Sequence, residues 1–199
     1  MRAVLFLLFA AALPVAAGEG CLSCHGGAAE RSYALSKHGV IARVEAGRKR
    51  QRTPRCEDCH RFEAEAPAPR HYAKEGEREQ ARQQASAGCG ACHSPRYVTE
   101  QMAASKRALA IGAMKLREAQ AVVDAARKEL KGEELVRIET LFGTMRDENL
   151  RDLRLGLGHQ SPDYQWWLGQ AALDGTLLRI KGVLGEARRT KPSATAAVP

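Results

Sequence analysis

The sequence has few aromatic residues, and it lacks a long apolar run beyond its first residues. Phenylalanine, tryptophan and tyrosine together make up 5% of the 199 residues. Residues 18–97 contain few of them and many glycines, alanines and arginines, so this segment has too little apolar surface to fold around a core of its own. No later stretch is long and apolar enough for a membrane-spanning helix of about 20 residues. A membrane-embedded fold is therefore excluded. Residues 18–97 need a partner other than their own side chains to provide the apolar surface of a core.

The first 17 residues predict a secretory signal peptide. Arg2 provides a positive charge, Ala3–Leu13 is an apolar run, and Val15–Ala17 matches a small-residue cleavage site. We therefore expect an exported, periplasmic protein whose mature form begins near Gly18 and has no transmembrane segment. A retained signal anchor is the alternative.

No cysteine stands outside a motif. The six cysteines form three pairs, each with two residues between its members and a histidine directly after, in CLSCH, CEDCH and CGACH. Six cysteines in an exported protein would ordinarily indicate disulfides. The following histidine instead makes each motif a c-type haem attachment signature. The motif residues are Cys21, Cys24 and His25; Cys56, Cys59 and His60; and Cys89, Cys92 and His93.

The chemistry of haem attachment accounts for this spacing. Two thiols add across the two vinyl groups of one porphyrin, one helical turn holds them at the required separation, and the next residue directs its imidazole at the iron. A structural zinc site would need four gathered ligands, and thioredoxin-like chemistry would not need a histidine after every pair. The sequence predicts three covalently attached haem c groups, with His25, His60 and His93 as proximal ligands.

Three histidines remain for the three open iron faces. They are His38, His71 and His159, and the simplest assignment makes each haem bis-histidine. The assignment of each to a haem stays open, since six pairings exist. The alternative for each is an exposed or hydrogen-bonded surface residue. Three methionines could replace them as ligands but have the spacing of helix packing: Met102, Met114 and Met145.

The chain divides near residue 97, and the predicted fold is mainly α. We expect residues 18–97 to wrap the haems with little regular structure, residues 98–190 to form about three long helices that supply one distal histidine, and residues 191–199 to be disordered. The first helix has a seven-residue period of large side chains, Met102, Leu109, Leu116, Val123 and Leu130. Each of the first four is followed three positions later by a small residue, Ser105, Gly112, Ala119 or Ala126. This seam predicts close packing on another helix.

Two further helices follow a predicted break at Gly132. The second buries Leu135, Ile138, Leu141, Phe142, Met145, Leu150 and Leu153. Gly156 and Gly158 allow a bend before His159. The third begins with Ser161 as N-cap and Pro162 at the first helical position. Its predicted buried side chains are Tyr164, Trp167, Leu168, Ala171, Leu178 and Val183.

Three stretches, SKHG, CGACHSPRYV and GHQSPDYQWWLG, resemble the multihaem cytochrome c superfamily. The similarity is to the C-terminal half of hydroxylamine oxidoreductase-like proteins, whose plan of haems followed by long helices pentahaem nitrite reductases share. It implies bis-histidine, electron-passing haems, with His38 and His159 as distal ligands, and a homo-oligomer through the long helices. The catalytic haem of the octahaem enzymes belongs to an N-terminal portion that has no counterpart among these motifs.

These observations predict a triheme electron carrier, without catalytic residues, that serves redox protein partners in the periplasm. One alternative is an enzyme that acts on small nitrogen compounds at a five-coordinate haem. Another is a cytochrome subunit of a larger redox complex. The formal charge of +8 favours a nucleic-acid partner only weakly. Loss of Arg2 with the signal leaves +7, and six haem propionates would offset most of that charge.

Overall fold

The computed structural model describes residues 21–22, 25–48, 52–60, 83 and 86–190. Of these residues, 84% are helical and none lies in a strand, which confirms the mainly α prediction. No helix in this part of the chain combines the length and the apolar character that crossing a bilayer requires. The predicted signal peptide, the tail at 191–199, Cys24 and His71 lie outside the described residues.

The described part of residues 18–97 contains short helices joined by turns. Their bounds are α1, Ala28–Ala34; α2, Lys37–Glu45; and α3, Cys56–Cys59. The N-cap of helix α2 is Ser36, whose buried hydroxyl accepts a hydrogen bond from the Gly39 N–H at 3.0 Å. Such an N-cap satisfies one of the N–H groups that a helix start leaves without a partner.

The second half of the chain is a bundle of three helical arms. The first arm, α4, spans Pro95–Glu129, with Ser94 as N-cap. The second consists of α5, Glu133–Thr144, a π-helical turn, Met145–Asn149, and α6, Leu150–Gly158. The third consists of α7, Pro162–Tyr164, a π-helical turn, Gln165–Gln170, and α8, Ala171–Thr190. The predicted break is present, since Gly132 has φ 74° and precedes α5.

The first and third arms are parallel to each other, and the second arm is antiparallel to both. Ion pairs join α4 to α8 in the same order along both helices, so the two are parallel: Lys115–Asp174, Glu118–Lys181 and Glu129–Arg188. Arg127 near the end of α4 instead pairs with Glu139 of α5 at 2.8 Å, which fits an antiparallel neighbour. These pairs are largely solvated, so they mark the register more than they stabilise the bundle.

The small residues predicted along α4 form the closest part of the helix seam. Gly112, Ala119 and Ala126 are buried. A Cβ atom at Gly112 would lie 2.6 Å from Leu153 Cδ2, so a larger residue there would separate α4 from α6. Val123 is fully buried, whereas Met102 at the start of the helix is 37% exposed. The seam therefore packs tightly toward the C-terminal end of α4.

The prediction for the third arm was confirmed at Tyr164 and in part at Ala171 and Val183, which are half-buried, but it was wrong at three positions. Tyr164 is buried, but Trp167 is 66% exposed, and Leu168 and Leu178 are also exposed. The cause is the π-helical turn at 165–170, which adds a residue to one helical turn. The buried stripe consequently steps from Tyr164 by five positions to Gly169 and then continues at Leu173, Thr176, Leu177, Ile180 and Leu184.

Two alanine substitutions test this shifted stripe. Ile180→Ala should lower the free energy of unfolding by about 2–5 kcal/mol, because it empties space at a fully buried position. Leu178→Ala, two residues away and 68% exposed, is the control and should change it by less than about 0.5 kcal/mol. Denaturant unfolding of the purified protein, followed by helical circular dichroism, measures both. Equal losses of unfolding free energy in the two variants would contradict the assignment of Ile180 to the buried face and of Leu178 to the exposed face.

Candidate haem sites

The second and third CxxCH motifs each occupy a helical turn. In the second motif, His60 N–H donates to Cys56 O at 2.7 Å, and in the third His93 N–H donates to Cys89 O at 2.9 Å. Residues around the first motif are turned in the same way, with Gly26 N–H donating to Leu22 O at 3.0 Å. In the second and third motifs, the spacing i, i+3 and i+4 on this backbone places both thiols and the following imidazole on one side of the turn, as thioether attachment and axial ligation require.

The thiols of the second motif interact electrostatically with thiols of the other two motifs. Burial, and then the neighbouring Cys21 thiol, raises the pKa of Cys56. Burial, and then the Cys89 thiol, raises the pKa of Cys59. Each thiol of the second motif is thus next to a different neighbouring motif. Porphyrins attached at all three positions would lie close to one another.

Two of the predicted proximal histidines each lie beside a predicted distal one. The ring centres of His38 and His93 are 6.1 Å apart, with 49° between the ring planes. Those of His60 and His159 are 6.3 Å apart, with 86° between the planes. Two imidazoles on opposite sides of one metal ion, each bonded at about 2 Å, place their ring centres about 6 Å apart. Both pairs therefore have the spacing of axial ligands of a single iron.

His159 is in the state that a metal ligand requires. Burial, and then the neighbouring His60, lowers its pKa from 6.5 to about 4, so the imidazole is neutral at pH 7. Its buried Nδ1 has no hydrogen-bond partner within the described part of the chain. Burial also lowers the pKa of His38, with His93 as the second cause. Neutral imidazoles with lone pairs fit the axial positions of a haem iron.

The turn that carries His159 is formed by Gln160 and not, as expected, by the two glycines before it. Gln160 has φ 52°, and its Nε2 donates to Leu157 O at 2.7 Å and to Ser105 Oγ of α4 at 3.3 Å. Gly156 lies inside α6 and serves close packing, since a Cβ there would be 2.5 Å from Gln165 Cα. His159 is consequently held at a rigid corner of the bundle.

Ser161 occupies the predicted N-cap position, but its side chain makes no capping hydrogen bond. Its Oγ is fully buried and has no partner among the residues the structure describes. Pro162 is at the first helical position, as predicted. Because proline has no backbone N–H, no capping hydrogen bond is needed there. The peptide after His159 is therefore fixed by backbone geometry and packing.

Two tyrosines beside the histidine pairs were missed by the sequence analysis. The Tyr33 ring centre lies 6.2 Å from that of His159, edge to face at 82°, and its hydroxyl donates to Pro54 O at 2.8 Å. Tyr97 stacks on His93 at 4.9 Å. Tyr97 follows His93 by four residues, a spacing that places both on one side of a helix start. Tyr33 has no comparable signal, because its contacts are to distant parts of the chain.

Comparison with known proteins adds no assignment. No protein-family model matches the chain, and no curated protein matches it. Among residues 21–22, 25–48, 52–60, 83 and 86–190, no group of three or more His, Cys, Asp or Glu side chains is placed to hold a metal ion. A haem iron takes two axial ligands from protein, so pairs of imidazoles are what the haem prediction requires.

A buried carboxylate closes the loop that leads to the second motif. The Glu45 side chain is 3% exposed and accepts hydrogen bonds from Arg52 N–H at 2.8 Å, Arg52 Nε at 3.0 Å and Thr53 Oγ1 at 3.2 Å. The main-chain hydrogen bond from Arg52, more than the charge, lowers the pKa of Glu45 below 4.5. A lowered carboxyl pKa gives stability that is present above pH 4.5 and is lost as the pH falls through the lower, folded value.

We therefore expect the loop between Glu45 and Thr53 to open as the pH falls below 4.5. Hydrogen exchange at the Arg52 amide should accelerate relative to its intrinsic rate in this range. In Glu45→Gln the same amide should be less protected at pH 7, and its protection should no longer depend on pH. A pH dependence that persists in the variant would assign the effect to another group.

Proposed function

We propose that this protein is an exported triheme c-type cytochrome that carries electrons between redox partners in the periplasm. The observation that supports this most strongly is the pairing of His93 with His38 and of His60 with His159, each at the separation of two ligands on one iron. In each pair, one member follows a CxxC motif and the other comes from a distant helix or helix end. The pairings leave His71 as the ligand opposite His25.

The chain's residues would hold the irons in a coordinatively saturated state. A neutral imidazole on each face leaves no site for a substrate, so the bound haem supplies reversible one-electron chemistry without bond making. His159 and His38 are both partly buried, which would limit the access of water to the distal side. The adjacency of the second motif to the other two would keep electron-transfer steps short across the protein.

The resemblance to multihaem cytochromes is part of this proposal. It favours low-potential, bis-histidine haems and redox protein partners. It also favours association through the long helices. Size-exclusion chromatography of native extracts, followed by haem absorbance, would separate a free carrier from a subunit of a larger complex.

Three measurements on the exported protein test the proposal. Intact mass should show three haem groups added and a chain that begins near Gly18. Electron paramagnetic resonance of the oxidised protein should show low-spin iron alone. Addition of carbon monoxide to the reduced protein, or of nitrite or hydroxylamine, should leave the absorption spectrum unchanged. A high-spin signal in the native protein, with binding of any of these ligands, would instead favour the enzyme that uses a five-coordinate haem.

A further inference from the structure

Tyr33 connects the two sides of the second haem site. Its ring lies edge to face against His159, the proposed distal ligand. Its hydroxyl holds the carbonyl of Pro54, which directly precedes Arg55 and Cys56 on the proximal side. One side chain therefore contacts both the distal ligand and the attachment segment.

We propose that Tyr33 is a positioning residue that fixes the rotation of the His159 imidazole about the iron–nitrogen axis and so sets the ligand field of the second haem. This inference rests on the proposed bis-histidine function. The His60 and His159 rings are nearly perpendicular, at 86°. The edge of an aromatic ring carries positive charge and its face negative charge, so an edge-to-face partner favours one rotation of the imidazole over others.

The angle between two axial imidazoles has a direct electronic consequence. The filled π orbital of each imidazole ring, perpendicular to the ring plane, raises the energy of the iron d orbital with which it overlaps. Perpendicular rings raise two such orbitals equally, and the low-spin ferric ion then has a strongly anisotropic resonance with one very large g value. Rings that approach a common plane split the two orbitals, and the anisotropy falls. Axial-ligand geometry is thus one means by which a protein tunes a haem.

The second histidine pair provides an internal comparison. The His38 and His93 rings are 49° apart, and the tyrosine beside them, Tyr97, stacks nearly parallel on His93 at 26°. We therefore expect the His60/His159 haem to give the more anisotropic low-spin signal of the two. The Tyr33 ring contacts His159 and holds that geometry, whereas Tyr97 contacts His93 of the other pair.

The test combines three variants in the exported holoprotein with resonance spectra of the oxidised state. His159→Gly identifies the signal of the second haem, because that low-spin signal should disappear. Tyr33→Leu should leave three low-spin haems but remove the large-g feature of the second haem or shift it to smaller anisotropy. Tyr33→Phe keeps the ring without the hydroxyl and should retain the feature. Tyr97→Leu is the matched control and should alter only the signal of the His38/His93 haem.

The outcomes separate this inference from the function on which it rests. A large-g signal that is unchanged in Tyr33→Leu would overturn the positioning role while leaving the ligand set intact. If Tyr33→Leu does not accumulate with haem, Tyr33→Phe decides: loss of the large-g feature with the iron still low-spin would refute control by the ring. Absence of any signal change in His159→Gly would instead remove the ligand assignment and the proposed function with it.

Discussion

His159→Gly should convert one of the three proposed haems from low-spin to high-spin while all three stay attached to the chain. Thioether bonds to the two cysteines of the motif would hold the porphyrin independently of the distal ligand. Glycine removes the imidazole that faces His60 and leaves space in its place. Added imidazole should occupy that space and restore the low-spin spectrum. Absorption and paramagnetic resonance of the purified variant, with and without imidazole, measure the change.

His38→Gly is the matched variant for the other pair. It should produce the same fraction of high-spin haem, with rescue by imidazole, but at the haem of His93. The double variant should contain two high-spin haems, because the two pairs share no residue. A spectral change that imidazole does not reverse would indicate general loss of structure. No change in either single variant would show that the imidazoles are not ligands.

Local chemistry accounts for what the sequence predicted about the attachment sites. Covalent attachment of a porphyrin fixes the spacing of two thiols and one imidazole within a few residues, and a single helical turn such as Cys56–Cys59 contains all of that information. The seam of small residues on α4 was readable for a similar reason. A period of seven repeated over most of a helix reports one packed face, as burial of Gly112, Ala119 and Ala126 shows.

Pairing of the histidines could not be predicted, because it depends on tertiary contacts. From the sequence alone, His38 and His159 could each pair with any of the three motif histidines. The contact between α2 and the third motif decides the partner of His38. The packing of α1 against α6 helps to place His159. The prediction of the buried face of the third arm failed for a different reason. Periodicity analysis assumes a constant number of residues per turn, and the π-helical turn after Tyr164 breaks that assumption without a marker in the sequence.

Gly156→Ala should destabilise the bundle by about 3 kcal/mol and also disturb the second haem site. A Cβ at this position would lie 2.5 Å from Gln165 Cα and 2.6 Å from Gln165 N, both backbone atoms of the neighbouring π-helical turn. Backbone cannot rotate away as the end of a flexible side chain can, so α6 and the third arm must separate. Because His159 follows three residues later, we expect part of the second haem to become high-spin. Unfolding midpoints and resonance spectra measure the two effects.

Gly158→Ala is the control for the distinction between packing and flexibility. This glycine is exposed, lies in the same helix and has nothing within 4 Å of an added Cβ. If the two glycines served to bend the chain before His159, both alanine variants would shift the histidine. Because the turn is formed by Gln160 at φ 52°, Gly158→Ala should keep all haems low-spin and change the stability by less than about 1 kcal/mol. Similar damage in both variants would show that backbone freedom, and not the contact between Gly156 and Gln165, places His159 opposite His60.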